Sequence, residues 1–210
     1  MNEARANAAR RELKSYYEAE ARLGMRKPPR GPRVELRDEF VALLAAEGRR
    51  SVIDFGAGPA TDGGAFDSNG CRYVGLDLAH GNGVLAGRNE LDVIQASIDA
   101  PPIRNASFEA GWSMSTLMHL ADELVPHALA AMAATLTAGA PFVIAQWGGD
   151  GRHDRDEGRT IEGEQRGFNL RTFEHNCELV ATIGVLERQE VWGGGSEAWE
   201  YHVLMVRVAR

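Results

Sequence analysis

The chain has 210 residues, which suits one domain with a single substantial core. Apolar residues make up 44% and charged residues 25%, and no apolar run approaches the ~20 residues of a membrane-spanning helix, so a soluble globular protein is expected rather than a membrane one. The net charge is −7, but residues 1–37 carry ten Lys/Arg against five Glu, a balance of +5 that leaves −12 for the rest.

Residues 2–23 have helical composition and end at Gly24. A Pro/Gly/Arg connector, Lys27 to Pro32, follows. A second helix is predicted from Pro32 to Glu47, with Val34, Phe40, Val41, Leu43 and Leu44 as its apolar face and Gly48 as its stop. The basic residues of this arm invite a polyanion. No nucleic-acid motif or stacking aromatics accompany them, and the acidic body repels phosphate backbones, so a solvated helix face is preferred and nucleic acid is not expected as substrate. Neither is a signal peptide expected at the start Met-Asn-Glu-Ala-Arg, and the default location is cytoplasmic.

Ser51 to Phe55 reads as a buried strand running into Gly56, Ala57 and Gly58, where the backbone can turn sharply and approach a ligand closely. Tyr73 to Ala79 reads as a second strand that delivers Asp77 beside that turn. Two parallel strands presenting a glycine loop and an acid at their carboxyl ends describe a nucleoside crevice, the acid accepting from ribose hydroxyls. Thr61 stands where a dinucleotide fingerprint has its third glycine, and no P-loop lysine is present. Leu91 to Ser97 reads as a third strand, Ser107 to Ser113 as a fourth, and Pro141 to Trp147 as a fifth after an alanine-rich helix stopped at Thr137–Ala140. Gly148 to Gly167 is a candidate lid or substrate loop. Asn169 to Ile183 is read as a helix, and Val185–Trp192 and Trp199–Val208 as a hairpin turning through Gly193–Ser196. Alternation of strands and helices predicts an α/β fold with a doubly wound, mostly parallel sheet.

The segment Asp54-Phe-Gly-Ala-Gly58 resembles motif I of the class I S-adenosylmethionine-dependent methyltransferases, with Pro59-Ala60 in place of the usual small pair, and Asp77 is similar to the motif II acid. Ser97-Ile98-Asp99 looks like the adenine-binding segment, with Ser97 where the acid usually stands. Ser113 and Met114 end a strand like motif IV, and Leu117–Leu120 resembles the leucine-histidine segment of small-molecule members. The resemblance covers about residues 48–208. It implies a Rossmann-like, seven-stranded sheet with the last strand antiparallel, S-adenosyl-L-methionine as cofactor, and methyl transfer to oxygen or nitrogen of a small molecule. Asp54, Gly56, Ala57, Gly58, Asp77, Leu78, Ser97, Ile98, Asp99, Ser113 and Met114 then hold the cofactor. His119 is the candidate base, Tyr17 and Trp147 are candidate substrate contacts, residues 1–31 form a helical arm over the site, and residues 32–210 form the domain. A noncatalytic binding module and an NAD(P) oxidoreductase are the alternatives. No metal is expected: Asp150, His153, Asp154, Asp156 and Glu157 read as solvated loop charges, and Cys71 and Cys177 as buried hydrophobes rather than zinc or disulfide partners.

Overall fold

The computed structural model describes residues 3–155, 160–196 and 199–209. Helices α1 (Glu3–Arg22) and α2 (Pro32–Ala46) precede strand β1 (Ser51–Phe55). Then come α3 (Gly63–Ser68), β2 (Arg72–Asp77), α4 (His80–Gly87), β3 (Val93–Gln95), β4 (Ala110–Met114), α5 (Val125–Ala134) and β5 (Pro141–Gly148). The chain ends in β6 (Arg152–Arg155), β7 (Gly167–Leu170), α6 (Phe173–Ala181), β8 (Gly184–Ser196) and β9 (Trp199–Val208). Among the described residues seven strands form one sheet in the order β3-β2-β1-β4-β5-β9-β8. Strand β9 runs antiparallel to both its neighbours, and the β1 to β5 pairings are parallel.

Side chains alternate across β1, and that alternation decides which layer each residue joins. Ile53 and Phe55 face α5 and α6, packing with Leu129, Met132, Phe142 and Val180. Val52 faces the other layer, where Leu36, Phe40 and Leu44 of α2 meet Phe66, Tyr73 and Trp112. Trp112 stacks on Phe40 at 5.4 Å and meets Phe66 edge-on at 5.6 Å. Leu36, absent from the apolar face read from sequence, is buried in α2, whereas Val34 and Leu43 are only half-buried.

Two elements differ from the sequence expectation. Asn169 to Leu170 is strand rather than helix: Phe168 and Leu170 are buried on either side of a half-buried Asn169, a two-residue period, and α6 begins only after Thr172, whose hydroxyl accepts from His175 N. Gly193 to Ser196 does not form the hairpin turn but extends β8, with a register shift between Gly193 and Ser196 that lets the strand bulge. The excursion from Gly148 to Gly167 carries β6, which pairs with β7, and its Ile161 is buried against Tyr16 and Ala19 of α1.

Candidate functional site

Chain order reverses between β1 and β4, and this switch point opens a crevice at the strands' carboxyl ends. The residues that follow four successive strands line one cavity there: Gly56 after β1, Leu78 after β2 with Asp77 at its end, Ala96 to Ile98 after β3, and Ser115 and Thr116 after β4. Its volume is about 350 Å³, within the range of small-molecule pockets. The opposite wall comes from α1 (Ala6, Ala9, Arg10, Leu13, Tyr17), Arg26 of the connector, and Gln165 to Asn169.

The glycine turn is fixed from two sides. Gly56 and Ala57 donate to the Leu76 carbonyl, at 2.8 and 3.1 Å, and Gly58 N donates to Asp77 Oδ2 at 2.8 Å. Gly56 adopts φ +76, and a Cβ there would sit 2.0 Å from Thr116 Oγ1, so both backbone and space require glycine. Asp77 is buried, and its Oδ1 accepts from Ala79 N (2.9 Å) and Asn82 Nδ2 (3.0 Å). A carboxylate offers about four acceptor positions; three are filled by protein, which leaves one for a ligand hydroxyl rather than two.

Not every residue read from sequence reaches the cavity. Asp54 shares its face with Val52, lies 3% exposed beneath α2, and accepts from Tyr73 Oη at 2.9 Å. Burial, helped by the negative charge of Asp62, pushes its pKa up to about 8. Asp62 is itself buried and takes two hydrogen bonds from Arg33, at 2.6 and 3.1 Å, and one from Trp112 Nε1 at 3.2 Å. Ser113 and Met114 are buried within β4, where side chains point to the sheet faces, and Ser113 Oγ donates to the Phe55 carbonyl; the next two residues, Ser115 and Thr116, line the cavity in their place. Ala57 and Gly58 stand behind the turn, outside the lining. Asp99 also stands outside it, held by Arg10, which lines it. Trp147 lies in a second row, 5.0 Å from the Tyr201 ring and 5.9 Å from the Trp199 ring. Phe168, which packs with Trp147, reaches the cavity instead.

His119 and Tyr17 do meet there. His119 Nε2 lies 2.8 Å from Tyr17 Oη, and its Nδ1 lies 2.8 Å from the Gly167 carbonyl. Burial pushes the imidazole pKa down to about 4 and raises that of the Tyr17 hydroxyl. Arg166 donates to Tyr17 Oη at 3.3 Å and lies over the rings of Tyr16 and Phe168, at 4.9 and 5.0 Å. Arg26, Arg166, Thr116 and Phe168 were not singled out from sequence. The arginines sat among many charges, and the loop carrying Arg166 and Phe168 gave no periodic signal.

The arm is tied to the body by charge. Glu18 accepts from the N–H groups of His80 and Gly81, at 2.7 and 2.8 Å, where α4 begins. Arg22 pairs with Glu162, and Arg33 and Arg37 with Asp62. The basic residues therefore meet carboxylates of other elements more than those of their own helix. Of the acidic loop cluster, Asp156 and Glu157 lie outside the described residues, as do the side chains of His153 and Asp154. No group of three or more His, Cys, Asp or Glu able to hold a metal occurs among the described residues, and no described helix is long and apolar enough to cross a membrane.

Comparison with known proteins agrees with this geometry. Residues 53–144 match the methyltransferase domain family. No curated protein sequence matches the chain. Among solved structures, the 1,6-didemethyltoxoflavin-N1-methyltransferase of Burkholderia thailandensis, holding 1,6-didemethyltoxoflavin and S-adenosylhomocysteine, is 20% identical over 88% of this chain and 93% of its own, with a TM-score of 0.63. A SAM-dependent methyltransferase from Methanosarcina mazei is 12% identical over 77% of this chain and 94% of its own, with a TM-score of 0.67. The cyclase SpnF shares the fold as well, 13% identical over 82% of this chain and 81% of its own, with a TM-score of 0.62. At such identities the structures show the fold alone, and the domain match is what assigns the chemistry. The chain carries a methyltransferase domain over residues 53–144, set on a Rossmann-like fold.

Proposed function

We propose that this chain methylates an oxygen or nitrogen of a small molecule, with cofactor and acceptor at opposite ends of the one cavity. The observation that carries the reading is that cavity's lining: Gly56, Asp77 and Ser97–Ile98 at one end, Tyr17, His119 and Phe168 at the other. Asp77 takes a ribose hydroxyl with its remaining acceptor position, Ile98 packs on the adenine, and the turn at Gly56 admits the methionine part. When bound, the sulfonium supplies an electrophilic methyl carbon, so the protein's task is to align a nucleophile and exclude water. Residues 1–31 act as the cover for that purpose, and residues 32–210 as the domain it closes on. A volume of about 350 Å³ behind such a cover favours a small acceptor over a polymer, as does the acidic body. The Burkholderia structure was solved with a cofactor product and a small acceptor together, and we assign the same two roles to the two ends here.

The test is incubation with S-adenosylmethionine and a panel of small hydroxyl and N–H compounds, following S-adenosylhomocysteine release by mass spectrometry. Methylated product equal to the homocysteine form released is the expected result. Tight cofactor binding with no transfer to any nucleophile would instead support the noncatalytic reading.

A further inference from the structure

The hydrogen bonds that close the acceptor end run in one direction. The Gly167 carbonyl only accepts, so His119 Nδ1 carries the proton that bridges their 2.8 Å contact. Burial keeps this ring neutral, so Nε2 bears a lone pair and accepts from the Tyr17 hydroxyl, 2.8 Å away. Tyr17's single proton is thereby committed to His119. Its oxygen receives Arg166 Nη1–H on one lone pair and turns the remaining acceptor capacity to the cavity that Tyr17, His119 and Arg166 all line. The site's tyrosine is therefore an acceptor, not a donor, toward whatever lies in front of it.

Resting on the methyl-transfer reading above, we propose that Tyr17 takes the acceptor's proton while passing its own to His119, so that the acceptor presents its nucleophile as O–H or N–H and is not a carboxylate. The X–C bond forms as the S–C bond breaks, and that bond's electron pair stays on sulfur. The X–H proton moves to Tyr17 Oη, the Tyr17 proton moves to His119 Nε2, and the imidazolium releases it to water when the cover opens. A carboxylate in the same place would set acceptor against acceptor. Facing His119 are Tyr17 from α1, Arg26 from the connector, and Arg166 and the Gly167 carbonyl before and at the start of β7. The two cations oppose a standing imidazolium and support negative charge on Tyr17 Oη. His119 thus holds the proton only once methylation has made X–H strongly acidic.

The test has four arms on the full chain, three with S-adenosylhomocysteine or S-adenosylmethionine saturating and a fourth that titrates the unliganded chain. Nitrogen NMR of the labelled protein with S-adenosylhomocysteine at pH 7 should show His119 protonated at Nδ1 and bare at Nε2, with Tyr17→Phe moving the Nε2 signal to that of a free lone pair. A proton on Nε2 would overturn the proposal. Naphthalenes bearing hydroxyl, amino or carboxyl groups at one position form the acceptor set, and methylation mainly of the carboxyl member would also overturn it. On the acceptor used best, Tyr17→Phe and His119→Gln should each lower kcat about a hundredfold, the scale of general acid–base catalysis, with KM little changed. Either variant at wild-type kcat would contradict the relay; His119→Gln still accepts from Tyr17 but cannot hold the proton. Calorimetric titration with S-adenosylhomocysteine should give wild-type affinity in both variants. Absence of binding in the wild type would remove the cofactor reading instead, so the two failures are distinguishable.

Discussion

At the scale of single residues, Asp77 and Gly56 determine the crevice and Asp54 supports it from behind. Asp77→Asn places an N–H₂ where Gly58 N, and in the proposed function the ribose, need an acceptor. It should weaken S-adenosylhomocysteine binding by about 1.5–3 kcal/mol, the worth of one hydrogen bond to a charged group, and lower the melting temperature because the loop loses its anchor. Calorimetry and thermal unfolding check both. Gly56→Ala meets Thr116 at 2.0 Å as well as an unfavourable φ, whereas Gly58→Ala meets only φ +57, with Arg26 no closer than 3.8 Å. The first should abolish binding and the second weaken it, by the ~1–2 kcal/mol of a left-handed alanine. For Asp54, the carboxyl titrates near 3.8 unfolded and at about 8 folded, so the native state keeps its proton across that window. The stability so gained is complete at low pH and is lost as pH rises through about 8. Asp54→Asn should flatten this dependence, with a melting temperature that falls less than the wild type's between pH 6 and 9. Asp77 and Gly56 were legible in the sequence because spacing places them at strand ends, while Gly58 stands behind the turn. Sequence reading put Asp54 in the site because motif residues are read together, although the two-residue period of β1 turns that side chain toward α2.

The elements that wall the cavity opposite the strand ends, α1 and the residues around Arg166, are held by polar contacts rather than by a deep core. α1 meets the body through Glu18 at α4, Arg10 at Asp99, Tyr17 at His119 and a small apolar cluster of Tyr16, Ala19 and Ile161. Exposed ion pairs contribute only a few tenths of a kcal/mol to about one each, so this cover should open far more readily than the sheet. Adding S-adenosylhomocysteine should slow amide exchange in residues 10–30 and 160–170 while leaving β1, β4 and β5 unchanged. Deleting residues 1–23 should impair methyl transfer much more than it lowers the melting temperature. Strands β1 and β5 were legible to within a residue, since continuous apolar runs bounded by glycine or proline admit few readings. Strand β7 was not, because four residues beside a helix give too short a period to separate from the helix itself. His119 and Tyr17 were named from the family's order; their meeting across 102 positions of sequence, with the loop at Arg166, is a tertiary fact that no local pattern carries.

On the scale of the whole molecule, the charge division read from sequence becomes a docking device. A basic arm lies on an acidic body and neutralises part of it: Arg10 meets Asp99 and Arg22 meets Glu162. High salt should therefore loosen the arm before it unfolds the sheet. Topology does the rest, because only the reversal between β1 and β4 leaves strand ends uncovered by their own helices. Whether this crevice is a nucleoside–methionine site is decided by calorimetric titration of the full chain with S-adenosylhomocysteine, beside NAD and the Gly56→Ala variant. One S-adenosylhomocysteine per chain, no heat with NAD, and no binding to the variant are expected. Binding of NAD in preference, or equal binding of S-adenosylhomocysteine to a folded Gly56→Ala protein, would contradict that reading.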